Sequence, residues 1–265
     1  THTERAAQSN GRLFSREKDI VCTSRKSAAQ TRKKKRSFVG AAKRFAEGGA
    51  MNCDQKEILA RLKAEHPALC KLIPQVEEAF ALLKSAYDAG GKVTICGNGG
   101  SAADAEHIVG ELMKGFKLPR KPDADFAERL IAADNELGKV LAENLQGALP
   151  AIALDGHPAL STAYMNDCEP LLCFAQQVNG YGRPGDVFLG ISTSGNSKNV
   201  LYAATVAKAK GMKVIGLTGA KDSKLSAAAD VTIKVPQTET YMIQELHLPV
   251  YHCLCLLLED RFFAQ

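Results

Sequence analysis

The sequence predicts an α/β protein, a three-layer α/β/α sandwich around a parallel sheet, with an N-terminal helix or helix pair and a long C-terminal helix. Three observations carry this. Short, fully apolar runs of four to six residues alternate with helix-length segments, as strands covered on both faces require. Two of these runs are followed at once by a small-residue polar loop and then a helix. The chain also closes on a long stretch from about Tyr241 to Phe263 that is apolar on most sides.

From Asp54 to Asp88, Ile58, Leu59, Leu62, Leu69, Leu72, Ile73, Val76, Phe80, Leu82 and Leu83 recur mainly at three- and four-residue steps. Pro67 and Pro74 interrupt them, so a broken helix or a helix pair follows. Gly90-Gly91 ends that segment. Lys92–Cys96 then reads as a strand, Gly97–Ser101 as a tight loop and Ala102–Met113 as a helix. Ala151–Leu154 is a second short apolar run. Val187–Ile191 begins another strand, loop and helix, the helix running from about Lys198 to Lys210. Lys213–Leu217 and Val231–Val235 are the last strands, with a short helix at Ser223–Ala229 between them. Right-handed crossovers join such strands.

The 265 residues, 45% of them hydrophobic, can bury a sizeable core and exclude collagenous, mucin-like and disordered acidic chains. No apolar run reaches the roughly 18 residues of a membrane span, which excludes an integral membrane protein. The net charge of +5 suggests nucleic acid until it is divided along the chain. Residues 1–50 hold 13 Lys or Arg against four acids, whereas the remainder holds 21 bases and 25 acids. The basic character therefore belongs to a Ser-, Arg- and Lys-rich extension with the run Arg32–Arg36, which reads as disordered. Met51 opens the first well-patterned segment, so residues 1–50 read as a solvated appendage or residues ahead of a start. A targeting peptide or nucleic-acid arm is the alternative, weakened by Glu4, Glu17 and Asp19. The eight cysteines form no CxxC pair, and Cys96, Cys253 and Cys255 lie in apolar runs as small buried hydrophobes. A reducing cytoplasm is the expected compartment.

Ligands of an open parallel sheet sit beyond the carboxyl ends of its strands, where both polar loops fall. Ser192, Thr193, Ser194 and Ser197 place four hydroxyls on a turn into a helix, whose free amides and positive dipole end favour an anion. The loop has no lysine, which excludes a Walker P-loop and favours a phosphate on a small molecule. The bland reading is a set of helix caps. Gly97, Gly99 and Ala102 formally match GxGxxA, but no second strand leads into an acid about 20 residues later. The glycines are read as permitting close backbone approach to a ligand, and no nucleotide cofactor is expected.

His107 and Glu111 stand four apart on the helix after the glycine loop and share a face, able to act on one ligand or one metal. Gln244 and His252 are eight apart on the last helix, about 12 Å along its axis. Either two long side chains bracket one centre, or the pair divides between neighbouring sites of an oligomer. Taken singly, each histidine could be a hydrogen-bonded core residue and Glu111 a surface one.

The segments Gly97-Asn-Gly-Gly-Ser101, His107-Ile-Val-Gly-Glu111-Leu, Gly190-Ile-Ser-Thr-Ser-Gly-Asn-Ser197, Gly211–Gly219 and Ile243-Gln-Glu-Leu-His247 through His252 resemble the sugar isomerase (SIS) domain. The resemblance spans most of residues 55–263, with its nearest branch in the phosphoheptose isomerases. It implies a flavodoxin-like homotetramer, often with zinc, that converts sedoheptulose 7-phosphate to an aldose 7-phosphate. On this resemblance Glu111 matches the catalytic base and His252 the catalytic histidine. His107, Glu111, Gln244 and His252 match the zinc positions. Ser192, Ser194 and Ser197, with Thr193 among them, match the phosphate loop. Asn98, Gly99 and Ser101 match the sugar-contacting loop, and Asp155 a substrate-contacting aspartate. The residue types suit the chemistry, since proton transfer through an enediol needs a carboxylate at carbon and a second group for the oxygens. The family also includes a non-catalytic regulator that binds a replication initiator, and sugar-phosphate sensors. Those remain the alternatives, along with isomerisation of a different phosphosugar. A phosphosugar, other copies of the chain and no membrane are the expected partners, the basic extension being the one segment suited to nucleic acid.

Three features depart from the family pattern. Residues 116–150 add chain that short heptose isomerases lack, with an amphipathic stretch at Ala127–Leu149 expected to form a helical flap near the sugar or a peripheral decoration. Thr238–Tyr241 replaces the usual small or acidic residues before Gln244, and His157 has no counterpart.

Overall fold

The computed structural model describes residues 51–264. The basic extension, with its expected disorder or targeting role, lies outside the described residues. Five parallel strands, β1 (Val93–Cys96), β2 (Ala151–Ala153), β3 (Val187–Ile191), β4 (Lys213–Thr218) and β5 (Val231–Lys234), pair in the order β2-β1-β3-β4-β5. This is a doubly wound order in which the direction of winding reverses between β1 and β3, opening a crevice at their carboxyl ends. The polar loops 97–99 and 192–197 leave those two strands.

The helices are α1 (Cys53–Glu65), α2 (Ile73–Asp88), α3 (Gly100–Met113), α4 (Ala124–Ala133), α5 (Leu137–Asn144), α6 (Pro158–Asp167), α7 (Cys173–Tyr181), α8 (Lys198–Ala209), α9 (Lys224–Ala228) and α10 (Thr240–Phe263). The prolines act as the sequence suggests. α1 begins with an Asn52 and Gln55 capping box and stops before Pro67; a 3₁₀ turn at Pro67–Leu72 links it to α2, which carries Pro74 in its first turn.

Alternation along the strands divides the core between two faces. Val187, Leu189, Ile191, Ile215 and Leu217 pack with α1, α2, α3 and α10, whereas Phe188 and Val214 pack with α7, α8 and α9. Seven cysteines of the described residues are free; Cys96, Cys173, Cys253 and Cys255 are buried within these two clusters. Asp186 ties the start of the sheet together. Its carboxylate accepts the main-chain amides of Lys92 at 3.0 Å and Arg183 at 2.9 Å and pairs with the Lys92 ammonium.

No described helix is long and apolar enough to cross a membrane. The added segment is a hairpin of two short helices, α4 and α5, packed on each other. Asp134 makes the break within the amphipathic stretch, accepting the amides of Glu136 and Leu137 through its carboxylate. The hairpin is shut at its base, where the Gly147 amide donates to the Arg120 carbonyl at 2.7 Å. Phe126, Ile131, Leu137, Val140, Leu141 and Leu145 of the hairpin remain exposed.

Because Arg120 and Gly147 meet directly, replacing residues 123–145 with a Gly-Ser joint should leave a cooperatively unfolding protein whose melting midpoint moves by no more than about 5 °C. Circular dichroism on heating checks this; loss of cooperativity would make the hairpin part of the core.

Candidate active site

The crevice between β1 and β3 is built from two loops held to each other. Gly99 has φ +57°, a conformation that suits glycine, and Gly97 could carry no Cβ, which would lie 2.4 Å from the Ser101 carbonyl oxygen. Ser101 is buried in the first turn of α3. Across the crevice, the Asn98 and Asn199 amides exchange hydrogen bonds at 3.1 and 2.8 Å, so the glycine loop is fastened to the helix after the serine loop. In the serine loop, Ser192 is buried and its hydroxyl meets that of Ser197 at 3.1 Å. Thr193 accepts the Gly219 amide through its carbonyl, and Ser194 Oγ accepts the Asn196 amide at 3.2 Å. Gly195, at φ +64°, abuts Ser223 so closely that any side chain would collide. Ser197 occupies the N-cap position of α8, yet its side chain caps no helix amide. Its hydroxyl is therefore not consumed by the bland role the sequence allows, and the loop keeps the anion-binding character of a helix N-terminus.

Asp155 stands two residues past the end of β2 at Ala153. Partial burial, with the nearby Glu106 charge adding, pushes its carboxyl up to about 6, and its Oδ1 has no hydrogen-bond partner. His157 follows, with Nε2 likewise unpartnered and its ring 5.9 Å from that of Tyr181.

A second group of polar side chains forms where α3 lies along α10. His107 Nε2 is 3.2 Å from Glu111 Oε1, the contact expected of their four-residue spacing. His107 Nδ1 meets the Tyr251 hydroxyl at 3.0 Å, and that hydroxyl donates to Asp104 Oδ1 at 3.2 Å. The chain Asp104–Tyr251–His107 thus orients the imidazole with Nε2 toward Glu111. His252 packs edge-on to His107, with ring centres 5.0 Å apart, and against Phe116. Desolvation pulls the His252 pKa down, with His107 contributing. His252 Nε2 and Glu111 Oε2 are both buried without a hydrogen bond; the Lys114 ammonium approaches the latter only to 3.7 Å. Burial also raises the Asp104 carboxyl and the Tyr251 phenol.

Gln244 does not join this group. Its amide lies against Gly100, where an added Cβ would come within 2.5 Å of Nε2, about two helical turns before His107. The chain by itself thus brings together His107, Glu111 and His252, and sets Gln244 beside the glycine loop. Imidazole and carboxylate donors suit zinc, and two orphaned ligand-type atoms point the same way. Even so, among the described residues no three His, Cys, Asp or Glu side chains converge as a closed metal site.

Sequence reasoning missed Asp104, Tyr251 and Arg120. Asp104 was accessible, three residues before His107 and seven before Glu111 on one helix face; Tyr251 was masked by its apolar neighbours.

Comparison with known proteins agrees with this architecture. The SIS domain family model matches residues 67–137 and 138–219. The phosphoheptose isomerase of Rhodospirillum rubrum is 41% identical over 187 residues, covering 71% of this chain and 86% of that one. That of Citrifermentans bemidjiense is 37% identical over 213 residues, covering 79% and 97%. Among solved structures, the phosphoheptose isomerase from Francisella tularensis superposes with a TM-score of 0.60 at 30% identity, covering 79% of this chain and 100% of its own. The one from Neisseria gonorrhoeae gives 0.57 at 34%, covering 74% and 91%. The chain belongs to the SIS domain family, among relatives that are phosphoheptose isomerases by name.

Behind the site, His247 is fully buried on α10. The backbone of Thr218 approaches it, but neither ring nitrogen achieves hydrogen-bond geometry, and desolvation lowers its pKa to about 4. Since a free imidazole titrates near 6.5, folding favours the neutral ring. The stability so gained is complete above pH 6.5 and is lost as pH falls through 4. The melting temperature of the protein should therefore drop more steeply between pH 6.5 and 4 than that of His247→Gln, which cannot titrate; parallel slopes would show that the ring does not stay neutral.

Proposed function

We propose that the chain is an aldose-ketose isomerase of a phosphorylated heptose, interconverting sedoheptulose 7-phosphate and D-glycero-D-manno-heptose 7-phosphate. Two observations carry this: an uncapped serine-rich helix N-terminus at the carboxyl-edge crevice, and a His–Glu–His group further along α3 and α10. The first suits a phosphate and the second a proton transfer. The names and coverage of the relatives support the same reading.

In this mechanism the amides after β3 and the hydroxyls of Ser192, Thr193, Ser194 and Ser197 hold the phosphate. Asn98, Gly99, Ser101, Asp155 and Gln244 line the sugar. Glu111 takes a proton from C1 of the ketose, giving the 1,2-enediol, and returns it to C2. His252 moves a proton from O1 to O2 so that the new carbonyl forms at C1. Zinc, when bound, would polarise the substrate oxygens, with His107, Glu111, Gln244 and His252 as its ligands.

The separation of Gln244 from His107, Glu111 and His252 supports a site divided between copies of the chain. Gly100 and Glu111 are 11 residues, about 16 Å, apart on α3. Assembly as a homotetramer would let one copy supply the loops and another the base. The reducing cytoplasm remains the proposed compartment.

With purified protein and sedoheptulose 7-phosphate, NMR should show an aldose 7-phosphate forming. Glu111→Gln should lower kcat about 10²- to 10⁴-fold while leaving phosphosugar binding by thermal shift intact. Absence of turnover in the unaltered protein, with and without added zinc, would overturn the proposal. For the metal, elemental analysis should find zinc in the purified protein and its loss in His107→Ala; equal zinc in both would remove His107 from the ligand set.

A further inference from the structure

The strongest interaction buried near the base lies outside the residues assigned above. Arg120 follows α3 by seven residues, and its side chain is fully buried. Its guanidinium makes three directed hydrogen bonds: Nε to Glu259 Oε1 at 2.8 Å, Nη1 to the Leu112 carbonyl at 2.8 Å and Nη2 to the Glu111 carbonyl at 2.9 Å. The planar group also lies 4.6 Å from the centre of the Phe263 ring. Glu259, on the last turns of α10, is equally buried, and its carboxylate is fully engaged. It accepts the amides of Phe116, Lys117 and Leu118 at 2.8, 2.8 and 3.1 Å in addition to Arg120.

The placement of these bonds is what matters. A helix ends with carbonyls that have no partner within it. In α3 two of those belong to Glu111 and its neighbour, and a positive side chain held at that end also meets the negative end of the helix dipole. The Leu149 amide assists at Leu112, but Arg120 is the side chain that holds the main chain of Glu111 itself. Its partner is on α10, the helix that carries Tyr251 and His252. The pair therefore fixes Glu111, from one helix, relative to His252, from the other, and does so from the side opposite the sugar loops.

We propose that Arg120 and Glu259 form a positioning clamp for the base of the reaction, setting the carboxylate of Glu111 against His107 and His252. This rests on the isomerase reading with Glu111 as base. Neither clamp residue touches substrate. Displacements of about 1 Å at a reacting group can cost 10²-fold in rate, so the clamp acts on turnover and leaves phosphosugar affinity, which is set at the distant loops, nearly unchanged.

The test separates positioning from folding. Arg120→Met and Glu259→Met each leave one buried charge unpaired and should lower the urea midpoint strongly. The double change removes both charges and should recover part of that loss, while the amides of Phe116, Lys117 and Leu118 and the carbonyls of Glu111 and Leu112 lose these partners. Steady-state kinetics on sedoheptulose 7-phosphate should nevertheless show the double variant with kcat reduced roughly 10- to 100-fold and KM within about threefold of the unaltered protein. Arg120→Lys, which keeps the charge but not the fork, should remain folded with kcat lowered likewise, and it decides the matter if the double variant does not fold. A stable double variant, or Arg120→Lys, turning over at the unaltered rate would overturn the clamp. Glu111→Gln run in parallel distinguishes the two levels. If it abolishes turnover while the clamp variants remain fully active, the clamp alone falls; if it leaves turnover unchanged, the base assignment falls and the clamp with it.

Discussion

Helices α3 and α10 lie side by side and run in the same direction, and this alignment decides where Gln244, Asp104, His107, Glu111, Tyr251 and His252 can be. At its start, the missing side chain of Gly100 lets the Gln244 amide lie directly on the helix. Midway, Asp104 and His107 meet Tyr251, and His107 meets His252. At its end, Glu111 and Leu112 are tied through Arg120 to Glu259. The apolar residues between these polar rungs, Ala105, Ile108 and Leu112 on one side and Ile243, Val250 and Leu254 on the other, belong to one buried cluster. Their close packing makes a shift of one helix past the other costly. Polar groups that would otherwise be flexible are thus placed by hydrophobic contact.

The sheet contributes a different constraint. Parallel pairing sends every strand's carboxyl end to one edge, and the order β2-β1-β3-β4-β5 parts the helices at the β1 and β3 boundary. The loops that emerge there must bend sharply, hence the left-handed Gly99 and Gly195. They are then held to each other by the Asn98 and Asn199 pair. The amides at the start of α8 are thereby fixed in advance, which suits a neutral loop without lysine to an anion.

How much of this the sequence discloses depends on the range of the interaction. The strands, the two loops and the His107–Glu111 pair are local patterns of three to six residues, and each appears where composition and spacing put it. The helix pair at the start is legible because Pro67 and Pro74 act on their own neighbours. Tyr251, buried in an apolar run, cannot be told from a core aromatic until α3 is laid beside it. Arg120 is harder still. It sits in a stretch that reads as added chain, and its role exists only through Glu259, 139 residues away. The amphipathic pattern at Ala127–Leu149 announces helix but not the turn at Asp134, whose cause is a side chain bonding its own backbone. Whether Gln244 and His252 serve one centre or two is likewise undecided by spacing and turns on where α3 places its glycine.

The buried thiols give each side of the sheet its own chemical clock. Cys96 and Cys173 belong to the cluster on the α7 and α8 face, Cys253 and Cys255 to the cluster on the α10 face. Burial pushes all four above the ordinary thiol range, Cys253 to about 12, so the reactive thiolate is scarce while the packing lasts. Alkylation at either pair must wait for its own layer to open, and the two rates report separately how often each face of the sandwich comes apart. Since α10 carries both Gln244 and His252, the slower or faster exchange of its two thiols measures how long the site stays assembled between openings.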